Sequence, residues 1–512
     1  DQVIEDAMAQ VISRRAVFCR SHVEVAVNQV LRGFRFVSDV ERDKVQQQVM
    51  DQVMVRKAVV MNPCEGLVLP DALVRLDELQ VRYTTREQLG QEYDVVHAMD
   101  EYAGLGVGAR DVARALKAFA REKGFALNAG QSAMVEQVLM DDARLSVAVG
   151  PAGTGKTTSM ELVARVWEKK GGKVMGFAPS AAAAKVLEKD MGVGCHTVDW
   201  LVFLWQKGVS EGLGSAEILA DPRIGLSAGD LLIVDEAGMV STSKMHTVME
   251  IARAAGAKVL MVGDPAQLDA VDTGGLFKTL TKNEKVVMLD EVMRQVMRND
   301  VGEVVRDEEQ AAASMALRRG VVGEDLDDAV GVYAARGWIT GGGRKKMLEE
   351  IVSGYLSDVR AGKSSLAMAA TNEDVRWLNE QIQKARIGDG EVSHEVVIQL
   401  ADGLVAGVGD EVVARKNDYI TQISGVKKRV YNGQKFVVTR VEKGVGMWVR
   451  DVVSKEMMWL PVEYAGEKIQ VAYASTLHRA QGATVDTAHA LITPMVDKNA
   501  AYVAITRGKW VN

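Results

Sequence analysis

The stretch Gly150-Pro-Ala-Gly-Thr-Gly-Lys-Thr157 decides the fold of this chain, because it fits the pattern GxxxxGK[ST]. The apolar run 145–149 precedes it and predicts a strand, and the residues up to Lys170 predict a helix that ends before Gly171-Gly172. Strand, glycine-rich loop and helix in this order are the context that a phosphate-binding loop requires. An ordinary glycine turn is the alternative interpretation, and the flanking strand and helix disfavour it.

The loop predicts a nucleotide site with ATP and Mg²⁺ as cofactors. Its glycines let backbone N–H groups approach phosphate oxygens, and the helix N-terminus adds a partial positive charge. Lys156 is expected to neutralise the β- and γ-phosphates, and the Thr157 hydroxyl to ligate magnesium. The residues expected to contact the nucleotide here are Gly150, Pro151, Ala152, Gly153, Thr154, Gly155, Lys156, Thr157 and Thr158.

Strands and helices alternate on both sides of this loop, which is typical of a parallel sheet covered by helices. Two such blocks are separated by residues 402–465, where short strands joined by Gly, Asn and Lys turns predict a small antiparallel β insertion. Residues 1–125 have the composition of a mostly helical segment. The strands predicted for the parallel sheets lie at 145–149, 173–178, 230–234, 257–262, 364–370, 468–474 and 487–492.

Two carboxylates end the apolar strand Leu231–Val234. Asp235 is expected to hold magnesium through water, and Glu236 to orient or deprotonate the attacking water. Two acids at a strand end serve equally well to cap the next helix. Their position downstream of a phosphate loop is what favours the catalytic interpretation.

Two glutamines are weaker candidates. The amide of Gln131 suits adenine, because it can pair with both N6 and N7, but a surface helix glutamine explains the residue as well. Gln267 follows another apolar strand, where its amide would reach the γ-phosphate or the attacking water. The preceding Gly263-Asp264-Pro265 is also simply a good turn.

Arg294 and Arg507 are candidate arginine fingers, because a planar guanidinium stabilises charge on a transferring phosphoryl group. A surface arginine is the default for either alone, and their order relative to the phosphate loop favours the functional role. Thr476, His478 and Gln481 concentrate polar and cationic groups at a predicted strand end, where ligands of parallel sheets bind. A loop with a capping threonine is the alternative there.

Taken in order, these segments resemble the superfamily 1 helicases. The resemblance is to the branch that includes the alpha chain of exodeoxyribonuclease V and the helicase half of conjugative relaxases, and it covers 126–510, about three quarters of the chain. The strings that carry it are LNAGQ (127–131), GPAGTGKTT (150–158), FAPSAAAAKVL (177–187), IVDEAGMV (233–240), VGDPAQLDAVDTGG (262–275), LDEVMRQ (289–295), STLHRAQGAT (475–484) and YVAITRGK (502–509).

The resemblance implies an α/β fold with two RecA-like P-loop motor domains, a small SH3-like β insertion and a helical N-terminal segment. The first motor domain is expected over 126–298, and the second over 299–401 and 466–512. Residues 402–465 would form the SH3-like insertion, and 1–125 the N-terminal segment.

The resemblance also implies residue roles. Gln131 would contact adenine, Gln267 would sense the γ-phosphate, and Arg294 and Arg507 would act as fingers from opposite sides of the interdomain cleft. The residues implied to face single-stranded DNA are Ser180, Thr197, Thr476, His478 and Gln481.

A finer resemblance to conjugative relaxase–helicases rests on Tyr83–Glu87 and on the DEAG ending of the acidic strand. Within Tyr83–Glu87, the residues Thr84 and Glu87 have capping-box spacing, with Thr84 as the cap. This placement implies an upstream DNA-nicking relaxase domain in the same polypeptide and partners in the conjugation machinery. The branch as a whole implies 5′-to-3′ movement on single-stranded DNA. A repair helicase like the exodeoxyribonuclease V alpha chain and a degenerate nucleic-acid-binding motor without turnover are the alternatives. A P-loop kinase would not account for the second sheet or the paired arginines.

The bulk properties bound the remaining choices. A net charge of −7 argues against a protein coated in nucleic acid, but allows a strand held in a narrow groove. The cysteines Cys19, Cys64 and Cys195 lie far apart, which disfavours a disulfide framework or zinc cluster and favours the cytoplasm. No membrane insertion is expected, because no run of 18 or more apolar residues occurs. A start at Asp1 without Met favours a fragment of a longer polypeptide, and the end soon after Arg507 suggests an incomplete second motor domain.

Overall fold

The structure is a computed structural model that describes residues 1–12, 15–61, 81–267, 275–299, 301–320 and 324–511. Cys64 and the second half of the string at 262–275 lie outside the described residues. Among the described residues, no helix is both long and apolar enough to span a membrane.

The N-terminal segment is mostly helical, as its composition predicted. Its first three helices pack around a small core of their own that includes Phe18, Val23, Val27 and Val53. Two short strands then pair antiparallel and lead into two further helices. The elements are α1 (Gln2–Ile12), α2 (Arg20–Leu31), α3 (Asp39–Lys57), β1 (Ala58–Val60), β2 (Tyr83–Thr85), α4 (Arg86–His97) and α5 (Ala109–Lys123).

The predicted capping box at Thr84 is wrong by one residue. Thr85 is the N-cap of α4, and its hydroxyl accepts the N–H of Gln88 at 3.0 Å. Thr84 instead lies within β2, where its hydroxyl donates to the carbonyl of Ala16 at 2.8 Å. Sequence spacing could not distinguish the two threonines, because the strand that occupies Thr84 depends on pairing with β1.

The first large sheet is parallel, as predicted. Its strands are β3 (Leu145–Val149), β4 (Val174–Ala178), β5 (Cys195–Thr197), β6 (Leu231–Val234), β7 (Lys258–Gly263) and β8 (Val287–Met288), in the order β5-β4-β6-β7-β3-β8. Apolar clusters cover both faces, so the central strands appear in the sequence as continuous apolar runs. The surrounding helices are α6 (Ala129–Met140), α7 (Lys156–Lys169), α8 (Ala181–Met191), α9 (Val198–Ser210), α10 (Ser215–Leu219), α11 (Thr242–Ala255) and α12 (Leu276–Leu280), with a 3₁₀ turn at Ala237–Met239.

An antiparallel hairpin and a run of helices follow the first sheet and lead into the second α/β block. The elements are β9 (Val296–Arg298), β10 (Val304–Arg306), α13 (Glu308–Arg319), α14 (Glu324–Ala335), α15 (Arg344–Arg360), β11 (Ser365–Ala369) and α16 (Asn372–Gly388).

The β insertion is present as an antiparallel sheet of the order β19-β18-β17-β14-β20, flanked by two hairpins. Its last strand lies beyond residue 465, the expected end of the insertion, because β20 pairs with β14. The elements are β12 (Ser393–Gln399), β13 (Val405–Val408), β14 (Glu411–Ala414), β15 (Asp418–Thr421), β16 (Lys427–Val430), β17 (Lys435–Glu442), β18 (Gly446–Asp451), β19 (Met457–Pro461), α17 (Val462–Lys468) and β20 (Ile469–Val471).

The second parallel sheet is smaller and has the order β21-β11-β22-β23. The single strand predicted at 468–474 is wrong, because the run divides into β20 of the insertion and β21 of this sheet. Because the run is mostly apolar, nothing in its residues indicates that the chain passes from one sheet to the other within it. The closing elements are β21 (Ala474–Thr476), α18 (Leu477–Ala480), β22 (Val485–Ala490), α19 (Lys498–Ala504) and β23 (Gly508–Val511).

Candidate nucleotide site

The candidate site lies at the carboxyl ends of β3, β6 and β7, which are neighbours in the first sheet. The loop at 150–157 follows β3, Asp235 and Glu236 follow β6, and Gln267 lies in the loop after β7. Ligands of parallel α/β sheets bind outside the carboxyl ends of the strands. The structure therefore brings these three predicted groups to one edge.

The phosphate loop needs its glycines for two separate reasons. Gly153 and Gly155 have φ values of 82° and 78°, in the left-handed region that residues with a Cβ rarely adopt. A Cβ on Gly150 would collide with the side chain of Lys156, and one on Gly153 would collide with Cβ of Arg294. The loop therefore presents bare backbone, and Lys156 folds back over it.

Gln131 is not the surface glutamine that was the alternative interpretation, because it is buried against the phosphate loop. Its Nε2 donates to the carbonyl of Thr154 at 3.0 Å, and its Oε1 accepts the N–H of Asn128 at 3.1 Å. Gln131 thus ties the N-terminus of α6 to the loop. One amide hydrogen and one lone pair are left over, which are the groups that adenine would use.

Asp235 and Glu236 adopt an unusual arrangement after β6. Glu236 has φ 50°, a left-handed conformation that is costly for a residue with a side chain, and its N–H donates to Oδ1 of Asp235 at 2.8 Å. Burial raises the pKa of Asp235, while Lys156 lowers it and the Glu236 carboxylate raises it again. Glu236 precedes the described 3₁₀ turn without a side-chain cap bond, which argues against the capping alternative.

Gln267 lies in a polar network rather than in a simple turn. It is 2% exposed, its Nε2 lies 3.5 Å from Oδ2 of Asp264, and its Oε1 has no partner among the described residues. Oδ1 of Asp264 accepts the N–H of Ala266 at 3.1 Å and also two N–H groups of Arg318, at 3.0 and 2.8 Å. The loop after β7 is therefore joined to α13.

The two candidate arginine fingers meet at one residue. Nη1 of Arg294 donates to the carbonyl of Thr506 at 2.8 Å, and Nη2 of Arg507 donates to the hydroxyl of Thr506 at 2.8 Å. Arg507 also donates from Nε to the carbonyl of Val503 at 2.8 Å, and it is 1% exposed. The N–H of Met293 donates to the carbonyl of Gly153 at 2.7 Å, which places the Arg294 backbone on the phosphate loop.

These arginines form a cationic pair, in which Arg507 is buried and Arg294 is partly buried. Burial lowers the pKa of Arg294 to about 9, the charge of Arg507 lowers it further, and burial likewise lowers the pKa of Arg507. No described carboxylate lies within ion-pair distance of either guanidinium, although Glu236 acts on both from farther away. Because arginine does not lose its proton in proteins, such a pair is stabilised by an anion between its members. The N–H donors of the two guanidinium groups, together with Lys156 and the Thr157 hydroxyl, fit a magnesium-bound triphosphate.

The structure places the residues expected to face DNA at strand ends of both parallel sheets. Ser180 follows β4, and Thr197 is the last residue of the neighbouring strand β5; both are N-caps, with hydroxyls that accept N–H groups at 3.2 and 3.1 Å. Capping uses a lone pair and leaves each hydroxyl hydrogen able to donate. In the second sheet, Thr476 ends β21, His478 is exposed, and Oε1 of Gln481 has no partner among the described residues.

Sequence reasoning missed two residues that contact the site. The hydroxyl of Tyr502 accepts the N–H of Ala152 at 3.4 Å, which brings α19 against the phosphate loop. Arg318, on α13, forms the ion pair with Asp264. Tyr502 lies within a string that carried the resemblance, and its position could have indicated it. Arg318 lies in an ordinary amphipathic helix without a motif signal.

Comparison with known proteins gives consistent relatives. The family model described as an AAA domain matches residues 126–344. A conjugal transfer protein TraA of Rhizobium radiobacter is 28% identical over 468 residues, which is 90% of this chain and 38% of that protein. The ATP-dependent RecD2 DNA helicase of Deinococcus radiodurans is 29% identical over 378 residues, which is 72% of this chain and 46% of that protein. The crystal structure of a Bacteroides Pif1 helicase in complex with ADP-AlF3 and ssDNA is 18% identical, covers 76% of this chain and 92% of that chain, and has a TM-score of 0.46.

The family model and the two sequence relatives confirm the relationship that the motifs indicated. The chain is related to the superfamily 1 helicases, and among them to the conjugative relaxase–helicases. It spans 38% of the length of the TraA relative, so the activities of that larger protein are not carried over as a whole.

Proposed function

We propose that this chain, a relative of the superfamily 1 helicases, is an ATP-driven DNA helicase that moves 5′ to 3′ along a single strand and separates it from its partner strand in duplex DNA. The observation that carries the proposal is the meeting of Arg294 and Arg507 at Thr506, beside the phosphate loop. Arg294 follows the first sheet, and Arg507 precedes the last strand of the second. A nucleotide between them would join the two parallel sheets.

We assign the domains as the motifs suggested. The first RecA-like domain is proposed over 126–298 and the second over 299–401 and 466–512, with an SH3-like insertion at 402–465 and an N-terminal segment at 1–125. The division is supported by the two parallel sheets and the antiparallel sheet between their parts. The pairing of β20 with β14 supports an end of the insertion a few residues after 465.

Each group at the site has a proposed role in hydrolysis. ATP supplies the phosphoanhydride bond whose cleavage drives the motor, and magnesium would be held through Thr157 and Asp235. Lys156 and the loop N–H groups neutralise the phosphates. Glu236 would take the proton of the attacking water, and Gln267, with its free Oε1, would orient that water.

Arg507 and Arg294 would stabilise the charge that develops on the transferring phosphoryl group. Both are already held by backbone carbonyls and by Thr506, so little reorganisation is needed when charge develops. Gln131 would hold adenine while it anchors the loop. These interactions would close the two domains on the nucleotide.

Movement along DNA would follow from the same closure. Ser180 and Thr197 belong to the first domain, and Thr476, His478 and Gln481 to the second. Closing the cleft would therefore shift one set of strand contacts relative to the other. Repeated closure and opening would advance a single strand of DNA.

The biological setting that we propose is conjugative DNA transfer in the cytoplasm, with a relaxase domain upstream in the same polypeptide. The named relatives support it, because the TraA match covers 90% of this chain whereas the RecD2 match covers 72%. A repair helicase is the second candidate, supported by the RecD2 match.

The test is steady-state ATP hydrolysis with and without single-stranded DNA. We expect DNA to stimulate turnover, and Lys156→Ala to lower it by at least ~100-fold, because one pre-positioned charge at the phosphates is lost. Lys169→Ala is the matched control, since Lys169 is exposed at the other end of the same helix. Near-wild-type turnover by Lys156→Ala would contradict the assignment of the site. Strand displacement on duplexes with 5′ or 3′ tails then tests polarity.

A further inference from the structure

Helix α5 presents a narrow row of basic residues to solvent. Arg110, Arg114, Lys117 and Arg121 are all exposed. At about 100° per residue, the four side chains fall within an arc of roughly 60°. We call this row the α5 basic stripe.

The helix beneath the stripe is firmly held. Val112 and Phe119, on the opposite side, are 1% and 3% exposed and belong to the core that α6 and α7 share. Lys123 forms an ion pair with Glu161 at 2.9 Å, which joins the end of α5 to α7. The stripe therefore lies on a fixed part of the first α/β block.

Three of the four charges of the stripe lack an acidic partner among the described residues. Arg114 lies 3.3 Å from Asp111, with both side chains largely exposed, and no described carboxylate lies within ion-pair distance of Arg110, Lys117 or Arg121. In a chain with a net charge of −7, this is a local excess of positive charge.

Some other exposed lysines of the chain are compensated. Four of them, on three different helices, face an acidic residue one turn away at 3.0 to 4.0 Å. Opposite charges therefore lie side by side on these helix faces, whereas most of the stripe has no such neighbour. These four are Lys207, Lys345, Lys346 and Lys384.

We propose that the α5 basic stripe binds the phosphate backbone of double-stranded DNA. The stripe extends over about 16 Å, since eleven residues rise by about 1.5 Å each, and duplex DNA carries one negative charge per ~1.7 Å of its axis. The helix has no exposed aromatic residue, since Phe119 is buried. Base stacking, which single strands use, is therefore not available on this face.

This contact is distinct from the proposed single-strand site. The stripe lies on a helix that packs on α6 and α7, whereas the proposed strand contacts follow β4, β5 and β21. Its binding is independent of sequence, because phosphates carry no base identity. That the bound duplex is the one that the motor unwinds rests on the proposed function. The binding of duplex DNA to the stripe does not depend on it.

The test removes all four charges in the full chain, as Arg110→Gln, Arg114→Gln, Lys117→Gln and Arg121→Gln. Binding of a fluorescent blunt duplex is measured by anisotropy at several salt concentrations without nucleotide. We expect the slope of log K against log salt to fall by roughly 3 and the affinity at about 100 mM salt to fall at least tenfold, because each phosphate contact contributes about 0.9 to the slope. Glutamine is a good helix former, so α5 is expected to keep its structure.

The matched control removes the same number of charges from compensated positions, as Lys207→Gln, Lys345→Gln, Lys346→Gln and Lys384→Gln. We expect this variant to keep the wild-type salt slope. The proposal is overturned if the stripe variant keeps the slope as well, or if both variants lose it equally, which would indicate general electrostatics. It is also overturned if the stripe variant loses binding to single strands but not to the duplex.

ATP hydrolysis separates this proposal from the proposed function. We expect the stripe variant to keep its single-strand-stimulated turnover within about twofold, because the nucleotide site is untouched. A wild-type chain without turnover would contradict the motor and still permit the duplex measurement. A stripe variant with normal turnover and a reduced salt slope supports the duplex contact alone.

Discussion

The two parallel sheets contribute to the nucleotide site in different ways. The first sheet supplies the phosphate loop and the side chains that follow β3, β6 and β7. The second sheet supplies Tyr502 and Arg507, from helix α19 and the turn after it. The groups proposed to bind phosphate and magnesium therefore belong to the first sheet, and the proposed finger Arg507 belongs to the second. Mutations should therefore separate nucleotide binding from nucleotide hydrolysis.

The largest separation is expected for Arg507→Ala. We expect kcat for ATP to fall by about 10³-fold, because an arginine finger acts mainly in the transition state, while the Kd of a fluorescent ATP analogue changes less than about tenfold. Lys156→Ala, in contrast, should weaken binding as well. Arg440→Ala is the control, since Arg440 is exposed on the β insertion. Equal losses of binding and turnover for Arg507→Ala would remove the distinction between the sheets.

A smaller effect is expected at the ion pair between Arg318 and Asp264, which joins the loop after β7 to α13. We expect Arg318→Ala to lower kcat by roughly tenfold, because a buried carboxylate without its partner distorts the loop that carries Gln267. The double variant Arg318→Ala and Asp264→Ala should be no worse than the worse single variant, since the two residues act as a unit. Measuring kcat for the wild-type protein, the two single variants and the double variant completes this double-mutant cycle.

Arg319→Ala serves as the neighbouring control, because the Arg319 side chain is exposed on the same helix. Fully additive losses in the double variant would show that the two residues act independently. A loss for Arg319→Ala as large as that for Arg318→Ala would point to a general effect of charge on α13.

The smallest effect is expected from pH. Burial raises the pKa of Asp235, so its protonated form persists to higher pH than that of an ordinary aspartate. Magnesium needs the carboxylate, and magnesium-dependent nucleotide binding should therefore weaken severalfold as pH falls from about 8 to about 5.5. Titration of a fluorescent nucleotide with magnesium and with EDTA at each pH measures the effect.

The effect of Asp235 on the stability of the fold has the opposite pH dependence to its effect on magnesium binding. The folded carboxyl holds its proton more tightly than the unfolded one, so the contribution of Asp235 to stability is lost as pH rises through its folded pKa. Asp235→Asn should remove the pH dependence of magnesium binding. A flat magnesium response in the wild-type protein down to pH 5.5 would contradict the role of Asp235 as the metal carboxylate.

Local patterns predicted the first sheet well. The strand before the phosphate loop matches β3, and the acidic pair follows β6, because buried parallel strands are continuous apolar runs with polar ends. The same rule failed at 468–474, where one apolar run serves two sheets. The cap at Thr85 rather than Thr84 was likewise decided by strand pairing.

The residues of the candidate site also differ in whether local sequence patterns could identify them. The loop at 150–157, Asp235 and Glu236 are contiguous motifs, and their spacing along the chain was sufficient to place them. Gln131 was ambiguous until its bond to Thr154 showed that it is buried on the loop. Arg318 could not be found at all, because its partner Asp264 lies 54 residues away and on another element.

The sequence by itself determined the nucleotide chemistry and the parallel α/β class, because both depend on residues that are neighbours in the chain. The relationship to the superfamily 1 helicases followed from the order of those motifs. Only the tertiary structure decided which arginines approach the loop, how Asp264 is paired, and that three residues of the α5 basic stripe have no acidic partner among the described residues. Those facts depend on long side chains that meet across separate elements, and such meetings are set by packing rather than by spacing along the chain.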